Sequence, residues 1–293
     1  MNTTARLIAV NNKKLWIEEE GSGEPLVLLP GGPAASHRIF QPYFTSLASR
    51  YRIIYYDYYG RGQSERPSAW TDISFAGDVE DLEGLRKALD LDKINLYGFS
   101  YGGMVAQAYA LKYGANVSHL VLANTLHSPE MWQKNHENIN REISNQYPEV
   151  WDSILELRKQ GVRSSDPTLR QQFGSVPANK LLRFYNPGLA AELLDGKWAP
   201  NLDLYFEFVG HDIDFFIGGQ LGLIPDFRPL LKELAMPVLI MAGRHDRALY
   251  PRYQLQFKQH CPQAGFLMFE ESGSFIHIEE NAKLRETLER FLG

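Results

Sequence analysis

Short apolar runs alternate with segments of helical periodicity over the first 124 residues of the chain. The apolar runs predict strands at 7–10, 15–19, 25–30, 52–57, 93–99 and 120–124. The intervening segments predict helices at 36–49, 78–89 and 101–112. The first two strands are expected to pair as a hairpin around Asn11-Asn12. Such alternation is typical of a parallel sheet with helices on both faces, so the fold class is α/β.

The alternation stops between residues 125 and 228, where amphipathic segments, prolines and aromatic residues follow one another without strand-like runs. We interpret this stretch as a helical cap inserted between two strands of the sheet. Strands resume at 236–242 and 265–269, with helices at 252–260 and 281–292. The predicted organisation is a core formed by 1–124 and 229–293, with a cap at 125–228.

Composition and charge narrow the possible partners. The 293 residues carry a net charge of −5, with scattered Lys and Arg, so we expect no nucleic-acid partner. No apolar run approaches the roughly 20 residues of a membrane span, and the N-terminus lacks a secretory pattern. The single cysteine, Cys261, excludes internal disulfides and suits the cytoplasm. No histidine has a second ligand at metal spacing, so no metal is expected.

A G-x-S-x-G motif, residues 98–102, lies between a predicted strand and a predicted helix. In this context the motif forms a tight turn that exposes the serine hydroxyl on a strained backbone, so Ser100 is the candidate nucleophile. Acyl transfer also needs N–H donors for the oxyanion. The backbone of Tyr101 supplies one donor. The loop containing Gly31 and Gly32 can approach the substrate closely, and Gly32 is the candidate second donor.

Asp246 is the candidate acid of a catalytic triad. It follows the predicted strand 236–242, and the carboxyl ends of parallel strands open onto the site. In this kind of fold the chain order is Ser, then Asp or Glu, then His, which Asp246 satisfies. The alternative is an aspartate that only forms the turn after Gly243.

Three segments carry a family resemblance: GGPAASH at 31–37, DYYGRGQS at 57–64 and GFSYGG at 98–103. They resemble the glycine loop, the DQxGxGxS stretch and the GSSYGG motif of the proline iminopeptidase-like branch of the α/β-hydrolases. The resemblance covers nearly the whole chain. It implies an α/β-hydrolase fold and a serine hydrolase without a cofactor, in which Ser100, Asp246, Gly32 and Tyr101 have the roles given above.

The same resemblance implies which residues bind the substrate. Family members that cleave free N-termini hold the ammonium group with acidic residues, one in the cap and one directly after the triad aspartate. Glu207 and Asp214 are the candidate cap acids, but Arg247 stands at the second position. A cation there repels an ammonium group and suits a carboxylate or a neutral ester. His37, which follows the glycine loop, is a further candidate to line the pocket.

The position of the catalytic base departs from the family pattern. The family carries its histidine in a G-H-x-x-x-x-E segment, which here reads GSFIHIE at 273–279, so Ser274 stands where the base belongs. A serine hydroxyl cannot accept and return a proton near neutral pH as imidazole does. Two explanations stay open. Either a histidine at 274 has been replaced, by engineering or by natural loss, or the loop is remodelled and His277 is the base.

Two functions therefore fit the sequence. The first is a hydrolase that cleaves an ester or amide bond of a small molecule or short peptide beneath the cap. The second is a non-catalytic ligand-binding or receptor protein on the same fold, in which Ser274 is the native residue.

Overall fold

The computed structural model describes residues 3–193 and 200–293. Eight strands lie in these ranges: β1 (Thr4–Val10), β2 (Lys13–Glu20), β3 (Glu24–Leu29), β4 (Tyr51–Tyr56), β5 (Ile94–Phe99), β6 (Val117–Ala123), β7 (Val238–Gly243) and β8 (Gly265–Phe269). They form one sheet in the order β1-β2-β4-β3-β5-β6-β7-β8. β2 pairs antiparallel with β1 and β4, and all other pairs are parallel. The α/β prediction is confirmed.

The same described ranges contain ten α-helices: α1 (Phe75–Ala88), α2 (Tyr101–Lys112), α3 (Pro129–Gln146), α4 (Pro148–Lys159), α5 (Pro167–Ser175), α6 (Ala178–Arg183), α7 (Leu202–Val209), α8 (Pro251–His260), α9 (Ile276–Glu279) and α10 (Asn281–Leu292). Apolar side chains of α1, α2 and α8 pack on one face of the sheet. Those of α10 pack on the other face. No helix in these ranges is long and apolar enough to cross a membrane.

One predicted element of the core is wrong. Residues 36–49 do not form an α-helix but two short 3-10 segments, His37–Phe40 and Thr45–Ser49. Pro42 lies between them, and proline lacks the N–H that a continuous helix needs. The predicted hairpin forms as expected, since Asn11 and Asn12 both adopt the positive φ that a tight two-residue turn requires.

Helices α3 to α7 all lie in the chain between β6 and β7. The helices α3, α4, α5 and α6 share a small apolar cluster of their own, which includes Ile139, Ile154, Leu169 and Leu182. The cap limits 125–228 stay a prediction, and residues 194–199 of that range lie outside the described residues. Helices α3, α6 and α7 contribute side chains to the cavity described below, which also borders the carboxyl ends of the strands.

Candidate active site

Ser100 lies in the sharp turn between β5 and α2. Its backbone has φ 51° and ψ −119°, a strained conformation for a residue with a side chain. The turn is held by Thr125, whose hydroxyl donates to the Ser100 carbonyl at 2.5 Å. The turn also needs Gly102, because a Cβ there would lie 2.1 Å from the carbonyl oxygen of Leu29. The local sequence therefore places the half-buried serine at the end of β5, where it borders a cavity.

Ser100 lines a cavity of about 240 Å³ whose wall is mostly apolar. The wall is formed by the glycine loop, the strand ends and the helices α3 and α6. Its other residues are Gly31, Gly32, Pro33, Ala35, Ile39, Phe99, Asn124, Leu126, Trp132, Asn135, His136, Arg183, Tyr205, Asp246, Leu249, Ser274 and Phe275. A cavity of this size suits a small substrate.

The glycine loop closely approaches the nucleophile. A Cβ at Gly31 would lie 3.0 Å from the Cβ of Ser100. Gly32 has φ 60°, and its carbonyl accepts the N–H of Ala35 at 3.0 Å, which closes a tight turn. Both glycines border the cavity, so this loop can bring a main-chain N–H toward a bound carbonyl group.

A buried network connects the glycine loop to Tyr101. The guanidinium of Arg61 donates to the Pro33 carbonyl at 2.7 Å and forms two bonds of 2.9 Å with the Asp78 carboxylate. The Tyr101 hydroxyl donates to the same carboxylate at 2.5 Å. Burial raises the pKa of Asp78, and Arg61 and Tyr101 oppose that rise. The two segments with candidate oxyanion donors are thus held by one ion pair.

Asp246 and Ser274 form a hydrogen-bonded pair in the wall of the cavity that Ser100 lines. Asp246 is 2% exposed, and its Oδ2 accepts the hydroxyl of Ser274 at 2.6 Å. Its Oδ1 accepts the N–H groups of Ala248 at 3.0 Å and Leu249 at 2.7 Å. Burial raises the pKa of Asp246, and the charge of Arg183 and these donors oppose that rise. The Ser274 hydroxyl occupies the acceptor site that an imidazole N–H uses in a catalytic triad.

His277 lies in the core and does not border the cavity. Its side chain is fully buried, and Nε2 lies 3.0 Å from the Ile39 carbonyl. The rings of Phe40, Phe44 and Phe99 surround it. Burial lowers the pKa of His277 to about 3. A base must reach the proton of the nucleophile, so this position does not support the explanation in which His277 is the base.

Comparisons with known proteins assign the family. A family model described as alpha/beta hydrolase fold matches residues 24–281. The chain belongs to the α/β-hydrolases. This hydrolase falls in the proline iminopeptidase-like branch, since it is 30% identical over 299 residues to proline iminopeptidase of Lactobacillus delbrueckii subsp. lactis, covering 100% of this chain and 99% of that protein. It is 29% identical over 279 residues to proline iminopeptidase of Clostridium botulinum, covering 93% and 90%.

Solved structures support the fold. The crystal structure of proline iminopeptidase from Mycobacterium smegmatis superposes with a TM-score of 0.76 at 19% identity, over 99% of this chain and 97% of that one. The structure of VinJ superposes with a TM-score of 0.79 at 20% identity, over 99% and 98%. The family model and the curated relatives together make the chain a serine hydrolase of the α/β family.

His37, expected to line the pocket, lies instead in a buried polar cluster of the hydrolase. Its Nδ1 is 2.9 Å from Asp57 Oδ1, and its Nε2 is 3.0 Å from Glu18 Oε1. Burial by itself lowers the pKa of His37, but the two carboxylates outweigh it and the pKa is raised. His37 does not reach the cavity because the carboxylates of Asp57, at the end of β4, and Glu18, on β2, bind its two ring nitrogens.

Three other predicted substrate-binding residues also lie outside the wall of the cavity. Glu207 pairs with His211 at 3.4 Å, and Asp214 lies 3.6 Å from Nδ1 of His136. Arg247 is exposed, and its backbone N–H donates to the Leu182 carbonyl at 2.8 Å. Arg247 is therefore not part of the described wall of this cavity.

Arg183 and His136 border the cavity but are not among the predicted site residues. Arg183 ends α6, and its carbonyl accepts the N–H of Ser274 at 2.7 Å. No periodicity in the sequence indicates this long-range contact. His136 accepts the indole N–H of Trp132 at 3.2 Å, and their spacing of four residues on α3 was a usable signal that they share a face. The described ranges contain no group of three side chains suited to a metal ion.

Proposed function

We propose that this hydrolase cleaves an ester or amide bond of a small, mostly apolar substrate at Ser100, and that Ser274 in the base position keeps turnover slow. One observation carries the proposal. The Ser274 hydroxyl bonds to Asp246 at 2.6 Å in the same cavity that Ser100 lines. The cavity thus has a nucleophile and a buried acid, with a hydroxyl where an imidazole is needed.

The chemistry follows from these positions. The Ser100 oxygen attacks the carbonyl carbon, and the main-chain N–H groups of Gly32 and Tyr101 stabilise the resulting oxyanion. The proton of Ser100 must pass to a base and then to the leaving group, before water releases the acyl group. Ser274 cannot carry that proton at neutral pH. An imidazole at 274 can donate one N–H to Asp246 and accept the proton at its other nitrogen.

The test compares the native protein with Ser274→His and with the control Ser274→Ala. Loss of the triad histidine costs roughly 10⁶-fold in a serine protease, so we expect Ser274→His to raise turnover of 4-nitrophenyl esters by at least about 10³-fold. Ser274→Ala should give no gain. A fluorophosphonate should label Ser100 in Ser274→His, as read by mass spectrometry. A folded Ser274→His protein that is neither labelled nor active would contradict the proposal.

A second candidate function is ligand binding without turnover. It is favoured by the hydrogen bonds of Asp246. The carboxyl group accepts the Ser274 hydroxyl and two backbone N–H groups, so it needs no histidine as a partner. The two functions differ in one result. Tight binding of a small ligand together with no turnover by either the native protein or Ser274→His supports the second function. The substrate panel includes prolyl 4-nitroanilide, because the similar proteins are named proline iminopeptidase.

We also propose the kind of partner and the cellular compartment for this reaction. A small molecule or a short peptide is the expected partner, without nucleic acid or membrane. The single Cys261 is buried, which suits a reducing compartment, so we place the reaction in the cytoplasm. Cell fractionation with an antibody to the chain tests this placement.

A further inference from the structure

Arg183 brings a permanent positive charge to the wall of the cavity. It is half-buried at the end of α6 and borders the same space as Ser100 and Ser274. Arginine stays protonated at any physiological pH, and its planar guanidinium binds carboxylates through two parallel bonds. Among the described side chains of the wall, Asp246 is the one that carries a carboxyl group.

The carboxyl group of Asp246 already accepts hydrogen bonds from the protein. Both oxygens of Asp246 accept hydrogen bonds, from the Ser274 hydroxyl and from the N–H groups of Ala248 and Leu249. Glu207 and Asp214, the two cap acids, are absent from the described wall. The described part of the cavity therefore offers no free carboxylate to hold a substrate ammonium group.

The main chain fixes Arg183 next to the reaction site. Its carbonyl accepts the N–H of Ser274 at 2.7 Å. The following residue, Phe184, stacks on Phe275 with ring centroids 4.8 Å apart. The guanidinium makes no ion pair or hydrogen bond with the residues that the structure describes, although its charge acts on Asp246 and Tyr205. A half-buried cation held in this way is ready to bind an incoming anion.

We infer that Arg183 selects substrates whose acyl group carries a carboxylate, so that this hydrolase favours anionic esters or amides over N-terminal aminoacyl compounds. The inference rests on the proposed function and names its substrate class. It also differs from the expectation drawn from the sequence, which assigned the cavity cation to Arg247.

The experiment uses Ser274→His protein and three 4-nitroanilides with acyl chains of similar length: glutaryl, pentanoyl and 4-aminobutanoyl. They present a negative, a neutral and a positive end. We expect the order of kcat/KM to be glutaryl, then pentanoyl, then 4-aminobutanoyl. Adding Arg183→Gln should lower kcat/KM for the glutaryl compound by about 10- to 100-fold, the usual range for a lost charged hydrogen bond. The pentanoyl value should fall by a smaller factor, because its neutral end forms no bond with Arg183.

Arg247→Gln is the matched control. It removes the same charge one residue after Asp246, but from an exposed side chain outside the described wall. It should leave the preference for glutaryl over pentanoyl unchanged. An equal loss for all three compounds in Arg183→Gln, or an equal effect of Arg247→Gln, overturns the inference, as does a preference for the 4-aminobutanoyl or prolyl compound.

A binding measurement keeps the inference testable even if Arg183→Gln fails to fold. The native protein should bind glutarate in calorimetry at least about 10-fold more tightly than pentanoate or 4-aminobutanoate. Equal binding of the three acids overturns the inference. The proposed function fails separately, through absence of labelling and of pentanoyl turnover in Ser274→His. Turnover of the pentanoyl compound without any preference for charge retains the function and rejects the role of Arg183.

Discussion

The turn at Ser100 and the loop at Ser274 are both firmly held, but they are held in different ways. At Ser100 the backbone adopts a strained conformation at the proposed nucleophile itself. At Ser274 the loop is held by its neighbours: the N–H of Gly273 donates to Glu279 Oε2 at 2.7 Å, and Oε1 of Glu279 accepts the N–H groups of Tyr185 and Asn186 at 2.8 Å. None of these bonds uses the side chain of residue 274.

The difference shows that the side chain at position 274 can change without loss of the scaffold. Because the loop shape depends on Glu279 and on main-chain contacts, a serine or a histidine at 274 can occupy the same backbone. The remaining need is a donor for Asp246, which the Ser274 hydroxyl supplies. At Ser100, by contrast, the strain lies at the residue whose side chain borders the cavity.

The largest expected effect tests whether the residues at positions 100 and 274 act together in catalysis. In Ser274→His protein, Ser100→Ala should lower ester turnover by at least about 10³-fold, because nucleophile and base work together. In the native protein the same Ser100→Ala change should lower turnover by a much smaller factor, because the partner base is missing. A double-mutant cycle on kcat measures the coupling. Equal effects of Ser100→Ala in both backgrounds would show that the base acts elsewhere.

The next effect concerns Glu279, which we expect to hold the base loop. Glu279→Gln replaces one carboxylate oxygen with an amide group that cannot accept a backbone N–H. We expect a loss of about 2 kcal/mol in the free energy of unfolding, measured in urea, and a smaller gain from Ser274→His in this background. Glu286→Gln, at an exposed site on α10, is the control and should change neither. An unchanged stability in Glu279→Gln would remove Glu279 from the account of the loop.

His277 gives a pH-dependent effect of intermediate size. Its pKa falls from an ordinary 6.5 to about 3 in the folded protein because it is buried. Between these values the unfolded chain binds a proton that the folded protein does not, so stability falls as the pH falls below about 6.5. The slope is about 1.4 kcal/mol per pH unit.

The variant His277→Gln should remove this slope, as measured by urea unfolding between pH 4.5 and 7.5. His127, whose pKa burial lowers to about 4, is present in both proteins and contributes equally to both. The activity of the native protein should not depend on His277. Loss of that activity in a stably folded His277→Gln protein would restore His277 as a candidate base.

Sequence reasoning succeeded where the determinants are local. The limits of α2 and α10 were predicted to the residue, and the G-x-S-x-G turn was placed between the correct strand and helix. Such features depend on periodicity and on residues within a few positions of one another. The predicted helix at 36–49 does not form because Pro42 interrupts it.

The part of the cavity wall outside the recognised motifs could not be predicted, because it depends on contacts between distant segments. Arg183 and Arg247 lie on adjacent stretches of main chain, as the bond from Arg247 N–H to the Leu182 carbonyl shows. Only Arg183 borders the cavity, and the direction of each side chain depends on the local turn rather than on spacing. The ring of His37 was likewise directed by Asp57 and Glu18, some 20 residues away.

The smallest expected effect tests the strain at the nucleophile. Ser100 has a positive φ, which costs about 1–3 kcal/mol for a residue with a side chain, whereas glycine adopts it freely. Glycine also makes the unfolded chain more flexible, which offsets about 0.5–1 kcal/mol. Ser100→Gly should therefore raise the free energy of unfolding by about 1 kcal/mol.

Ser100→Ala is the matched control for Ser100→Gly, because it removes the hydroxyl but keeps the Cβ and the strain. It should leave stability unchanged within about 0.5 kcal/mol in the same urea experiment. Ser274→Gly should lower stability instead, since it deprives the buried Asp246 of a donor at 2.6 Å and relieves no strain. Opposite signs for Ser100→Gly and Ser274→Gly are expected only if strain is stored at the nucleophile and not at the base position. Equal stabilities of Ser100→Gly and Ser100→Ala would show that the turn is unstrained.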